Sequence, residues 1–365
     1  MWNKITINNT EGLKYLRGRD DMDNLFFRLT ADKTLKRNIR LLKFLSLNNN
    51  SDVVPIDKIA QSLEISRETV ISDIEILKER LPDGIQIIRE KWVGVRLIWK
   101  KEISIEHYIA VMAKETVAYK ILDSIFHGNK KNITEWEQEL FISNTALRKQ
   151  LKYFDRTLRD FKLRFSAYTI ELIGDEVNIR YFYYVFYKEF RDLFVVQTDD
   201  NKYTEIITDL SNSGALQCNY GYFQATLWLM IARERIRNKK YISLNQAFID
   251  KILQRTSYRL SEQIRKQVFK KYFQIEYLPQ NENIWIYITS LHCVEYNTAA
   301  NSSAILMREE EPETLEEIRW FLEEVIQKFG IDTKKHKDFI YAHQALLVNI
   351  KMLTQITPLF QQCSL

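Results

Sequence analysis

Residues 63–70 read LEISRETV and residues 140–147 read LFISNTAL, one phrase met twice at a spacing of 77. Each copy closes one apolar stripe and opens another. After the first copy, Val70, Ile74, Leu77 and Leu81 recur at the i, i+4, i+7 and i+11 spacing of a single buried helix face. Ahead of it, Ile56, Ile59 and Leu63 make a shorter stripe. Only a tight turn fits between the two, and Ser66 stands where a hydroxyl can accept from an unbonded N–H of the second helix. Upstream, Leu35, Ile39, Leu42 and Leu45 predict a helix that packs across both. Three helices, the last two joined by a tight turn, describe a helix-turn-helix.

A shift of 77 residues reproduces the pattern. Ile133, Trp136, Leu140, Ile142, Leu147, Leu151, Phe154 and Leu158 fall on Ile56, Ile59, Leu63, Ile65, Val70, Ile74, Leu77 and Leu81. Ser143 takes the place of Ser66, and residues 104–127 are expected to supply the packing helix. The polar positions differ freely, so a fold unit is repeated rather than a surface. Each unit is followed by alternating segments, GIQIIREKWVGVRLIW (84–99) and LRFSAYTIELIGDEVNIRYF (163–182). These predict hairpins with turns near Val93-Gly94 and Gly174-Asp175. A helix-turn-helix with a hairpin is a winged helix, here twice in tandem.

The second helix of such a pair offers its N-terminal residues to base edges in the major groove, so short hydrogen-bonding side chains are needed there. Ser66, Arg67, Glu68, Thr69 and Ser72 meet that need in the first unit. Ser143, Asn144, Thr145, Arg148, Lys149 and Lys152 do so in the second. In the first wing, Arg89, Lys91 and Arg96 are placed to reach phosphates. Residues 66–80 carry a net charge of −1 and residues 143–160 carry +3, so the second unit is expected to bind a polyanion more strongly. Arg156 and Arg159 read equally well as a solvated face. Helix-turn-helix units also dock on proteins, so an assembly adaptor is the alternative function.

Composition agrees with this reading. The chain has 365 residues, 45% of them hydrophobic, with 9 Gly and 5 Pro, few turn formers for a sheet protein, so mainly α is expected. Residues 1–180 hold 31 Lys and Arg against 26 Asp and Glu, and residues 181–365 hold 22 against 22. The excess of positive charge thus lies with the two units. Cys218, Cys293 and Cys363 form no metal or disulfide spacing. The first residues lack a signal-peptide pattern, and no apolar run is long enough to span a membrane, so a cytoplasmic protein with no membrane partner is expected. No GxGxxG, Walker loop, HExxH or GxSxG occurs, which points to a non-enzyme without cofactors or metals.

Residues 181–190 (YFYYVFYKEF) hold seven aromatics in ten and are expected to form a helix buried on several sides rather than a base-stacking platform. Further amphipathic helices are expected over 223–239, 244–258, 261–273, 285–291, 315–329 and 336–359. NTAANSSAILMREEEPET (297–314) reads as a linker.

Tandem helix–LxIS–helix–wing units followed by helical domains resemble the Mga/AtxA-type transcriptional regulators of Gram-positive bacteria. The resemblance covers residues 30–180, and LWLMIARERIRNKKYI (227–242) is similar to part of a phosphotransferase-system regulation domain (PRD). It implies winged helices over 1–100 and 101–180, a PRD-like bundle over 181–296, and a partial second one over 313–365. No βαβ pattern is left for the enzyme IIB-like domain of that family. The resemblance further implies promoter DNA as partner, a homodimer formed through 181–365, and histidines that accept phosphate from the phosphocarrier HPr. The first bundle has no histidine between His127 and His292, and Trp228 stands near the motif position. His343 is then the leading candidate, with His336 and His292 behind it, although a histidine on an amphipathic helix also reads as an ordinary surface or core residue.

Overall fold

The protein is seen here as a computed structural model that describes residues 25–48, 53–90, 93–100, 104–166, 169–189, 200–211, 221–293, 312–330, 332 and 337–359. It is mainly helical. The first unit contains α1 (Leu25–Leu29), α2 (Lys33–Leu47), α3 (Ile56–Leu63) and α4 (Arg67–Arg80), then β1 (Ile85–Glu90) and β2 (Gly94–Trp99). The second contains α5 (Ile105–Lys114), α6 (Val117–Phe126), α7 (Ile133–Leu140) and α8 (Asn144–Asp160), then β3 (Arg164–Phe165) and β4 (Leu172–Ile173). Helices α9 (Glu176–Glu189), α10 (Asp200–Ser211), α11 (Tyr222–Arg237), α12 (Gln246–Gln254), α13 (Thr256–Phe273), α14 (Gln280–His292), α15 (Pro312–Phe329) and α16 (Lys337–Ile356) follow.

The repeat holds down to the backbone. Glu64 and Phe141, both in left-handed conformation at φ 54° and 53°, end α3 and α7. Ser66 accepts from Thr69 N–H at 3.2 Å, and Ser143 accepts from Ala146 N–H at 3.3 Å. Val70, Ile74 and Leu77 are buried in one unit, and Leu147, Phe154 and Leu158 in the other. Strands β1 and β2 pair antiparallel, Ile85 with Trp99 through Glu90 with Gly94. Val54 bridges to β2, where Val54 and Val95 exchange N–H···O bonds at 2.8 Å. A Cβ on Gly94 would stand 2.2 Å from the Val54 carbonyl oxygen, so only glycine lets the backbones meet there.

Two expectations need correction. Residues 104–127 form two helices, because Thr116 accepts from Tyr119 N–H and starts a new helix at Val117. The second wing is only two residues per strand, pairing Arg164 with Ile173 and Phe165 with Leu172. Its turn therefore lies between Phe165 and Leu172, not at Gly174-Asp175. Those two residues lead into α9 instead, and VNIRYF is helical. The apolar alternation was real, but the burial available on all sides of residues 177–187 favoured a helix.

Helix α9 is the shared core of the second unit and the bundle. Tyr181, Phe182, Tyr183, Tyr184, Phe186 and Tyr187 are all buried. Phe182 meets Phe161 of the second unit edge-on at 5.2 Å, while Tyr184 stacks on Trp228 of α11 at 4.2 Å. Polar ends are satisfied, with Tyr183 donating to the Leu122 carbonyl at 3.0 Å and Tyr187 to Asp123 at 2.8 Å. At the start of α9, Glu176 accepts from Arg180 at 3.0 Å and from both ends of the Arg235 guanidinium at 2.7 and 2.8 Å. Arg180 also holds the fully buried Glu282 of α14 through bonds of 2.7 and 2.9 Å. Among the bundle helices, residues 244–258 are divided between α12 and α13, and α10 was not foreseen. Most of the expected linker, its residues 297–311, lies outside the described residues.

Candidate nucleic-acid interface

Helix α4 presents Ser66, Arg67, Glu68 and Ser72 to solvent, with Thr69 partly covered. The Ser66 and Thr69 hydroxyls lie 3.0 Å apart. Its charges are largely committed within the unit. Arg67 holds Asp57 at 2.8 Å, Lys78 holds Glu75 at 3.0 Å, and the buried Asp73 takes a two-pronged bond from Arg37 at 2.7 and 3.0 Å. The backbone N–H of Glu68 and the Ser66 hydroxyl hold the Glu68 carboxyl below its usual range, so an anion occupies the end of the helix that a phosphate would seek.

Helix α8 is built differently. Asn144 donates to Glu137 at 3.1 Å and accepts from Arg148 at 2.7 Å, which fixes the first turn. Asp155 is paired with Arg159 at 2.8 Å and Asp160 with Arg28. Lys149, Lys152 and Arg156 are exposed at i, i+3 and i+7, and none has an acidic partner among the described residues. Thr145 is exposed beside them. One flank of the stripe is anchored, with the Thr157 hydroxyl donating to the Arg28 carbonyl and Lys36 of α2 donating to Tyr153, both at 3.0 Å. The first unit therefore buttresses the second at the helix that carries the basic stripe.

In the first wing Arg89 is exposed, whereas Arg96 is partly covered and paired with Glu90 at 2.8 Å. Lys91 lies outside the described residues. Sequence reasoning missed Lys162 and Arg164, both exposed. With Arg159 they line a groove of about 570 Å³ between the end of α8 and the second wing. Their sole signal was a pair of cations flanking Leu163, unremarkable until the chain turns at Lys162, whose φ is 57°.

The histidine candidates separate. His292 is enclosed by Tyr184 and Trp228, and its Nδ1 accepts from the Trp228 indole N–H at 3.3 Å. Burial, with a smaller push from Lys188, lowers its pKa to about 4. The ring packs among these aromatics with its Nδ1 engaged. Trp228 and His292 thus share one aromatic cluster at the bundle centre. His343 falls within α16 with its side chain outside what the structure describes, and His336 lies outside the described residues. Among the described residues no group of three His, Cys, Asp or Glu side chains could hold a metal ion, and no helix is long and apolar enough to cross a membrane.

Comparison with known proteins agrees with the two units. Residues 101–187 match the Mga helix-turn-helix domain, and residues 37–96 match a second helix-turn-helix domain family. The chain is 26% identical over 163 residues to the capsule synthesis positive regulator AcpB of Bacillus anthracis, covering 44% of this chain and 33% of that protein. It is 24% identical over 237 residues to a probable licABCH operon regulator of Bacillus subtilis, covering 58% and 37%. A putative trans-acting regulator of Streptococcus pneumoniae matches at 25% over 133 residues, covering 36% and 27%. The matches thus span about a third of each relative's length, and all three relatives are named as regulators rather than enzymes. The tandem helix-turn-helix half of the chain thus resembles the Mga/AtxA-type transcriptional regulators.

Proposed function

We propose that the chain binds double-stranded promoter DNA sequence-specifically, with α8 as the principal reading helix and α4 as a weaker second reader. The observation that supports this most is the exposed Lys149–Lys152–Arg156 stripe without acidic partners, set against the internally paired charges of α4. Ser143, Asn144, Thr145 and Arg148 then face base edges, while Arg89, Lys162 and Arg164 contact phosphates. Regulation is read as activation, in line with the name of the Bacillus anthracis relative as a positive regulator. The helical half is assigned to homodimerisation in the cytoplasm. A link to virulence or carbon-source genes is part of this reading, and HPr-dependent phosphorylation is assigned first to His343, with His336 and His292 behind it.

Quantitative footprinting on DNA upstream of the neighbouring genes, repeated across a salt series, tests the reading. Six or more phosphate contacts lower affinity by about a thousandfold between 50 and 200 mM salt. Binding to no DNA, or binding indifferent to salt, would return the winged helices to the role of protein adaptors.

A further inference from the structure

The residue that precedes α8 by three positions is Phe141, and it is 94% exposed. No other large apolar side chain among the described residues is as open to water. Its backbone is left-handed, at φ 53° and ψ 42°, a conformation that a bulky side chain disfavours and that Gly or Asn takes readily. The position thus combines an uncovered ring with a disfavoured backbone, held by the Phe141 N–H donating to the Glu137 carbonyl. The first unit uses the same turn with the same backbone, φ 54° and ψ 43°, and places Glu64 there. The turn geometry therefore requires no aromatic residue.

Where the ring stands gives it a use. Two Cα steps of about 3.8 Å each separate it from Ser143, the N-cap of α8. Asn144 and Arg148 lie just beyond, tied to each other and to Glu137. The N-terminal end of a recognition helix is the part that enters the major groove, and the turn before it rides at the groove's edge. A phenyl ring there meets deoxyribose carbons or a thymine methyl group, both apolar. A carboxylate in the matching place would meet phosphates and be repelled. The two turns thus differ in the same sense as the two helices, favouring the polyanion in the second unit and opposing it in the first.

We infer that Phe141 is a DNA contact of the second unit, an apolar anchor against sugar or thymine methyl at the groove edge. This rests on the DNA-binding reading above. The test uses the full chain with its footprinted site and compares wild type with Phe141→Asn and Phe141→Glu. Asn suits the left-handed backbone, so Phe141→Asn should melt no lower than wild type while binding about tenfold more weakly. Its salt slope should equal that of wild type, because an apolar contact releases no counterions. Phe141→Glu, which copies the first unit, should bind more weakly still at low salt. Unchanged affinity in both variants would overturn the inference, including the case in which promoter activation in vitro is lost, since the ring would then belong to a protein contact. Failure of wild type to bind any DNA would instead remove the parent reading and this inference together.

Discussion

Replacing Lys149, Lys152 and Arg156 together with Ala tests the assignment of α8 most directly. The three side chains are exposed and carry no acidic partner among the described residues, so their removal frees no buried charge and disturbs no core. They lie within seven steps along the helix, or about 10 Å of axis, close enough to track one stretch of backbone. Each phosphate neutralised adds about 0.9 to the slope of log K against log salt, so three contacts contribute about 2.7. Over a fourfold rise from 50 to 200 mM salt, wild type should therefore lose about 40-fold more affinity than the triple variant. Arg67→Ala is the control. Arg67 is already paired with Asp57 at 2.8 Å, so its loss should flatten the slope by less than about one. Gel-shift titrations at four salt concentrations read both numbers, with melting curves to show that the variants fold. A triple variant whose slope matches wild type, or an Arg67→Ala effect larger than that of the triple variant, would refute the ranking of the two helices.

Other consequences can be checked on the same protein. Glu282→Gln leaves the fully buried Arg180 without its two-pronged partner and should destabilise the bundle by about 3–5 kcal/mol in denaturant melts. The pair Arg180→Met with Glu282→Leu should cost less than that single change, and equal losses would mean that packing rather than charge pairing governs the site. Ser143→Ala removes the cap of α8 and should lower stability by about 1 kcal/mol, measured by thermal unfolding. At Glu189, which accepts from Leu25 and Phe26 N–H at 2.5 and 2.7 Å, burial raises the carboxyl pKa from 4.5 to about 7. The folded chain then binds the proton more tightly than the unfolded chain, so this group's contribution to stability falls as pH rises from about 4.5 to 7. Relative to Glu189→Gln, wild type should lose on the order of 2 °C in melting temperature between pH 5 and pH 8, and a parallel pair of curves would contradict it.

The sequence alone determined the elements whose signals are local. A helix needs only its own apolar period and its own cap, so α2, α3, α4, α7 and α8 could be read from Leu35 to Leu158 with Ser66 and Ser143 as caps. The charge contrast between the two reading helices was equally visible, because it is a count. What tertiary structure decided was the state of groups whose partners are distant in the chain. Asp73 proved neutralised by Arg37, and Asp160 by Arg28, so the basic stripe of α8 stood out only after the pairs had been removed. The alternating residues after Ile173 became helix because aromatic partners on α6, on α11 and at Phe161 surround them, which no local period announces. His292 looked like any histidine on an amphipathic helix until Trp228, 64 residues away, took its Nδ1. Phe141, apolar in a phrase otherwise rich in core residues, showed its exposure only when the turn was built, because a left-handed residue points its side chain away from the packed face of both helices it joins.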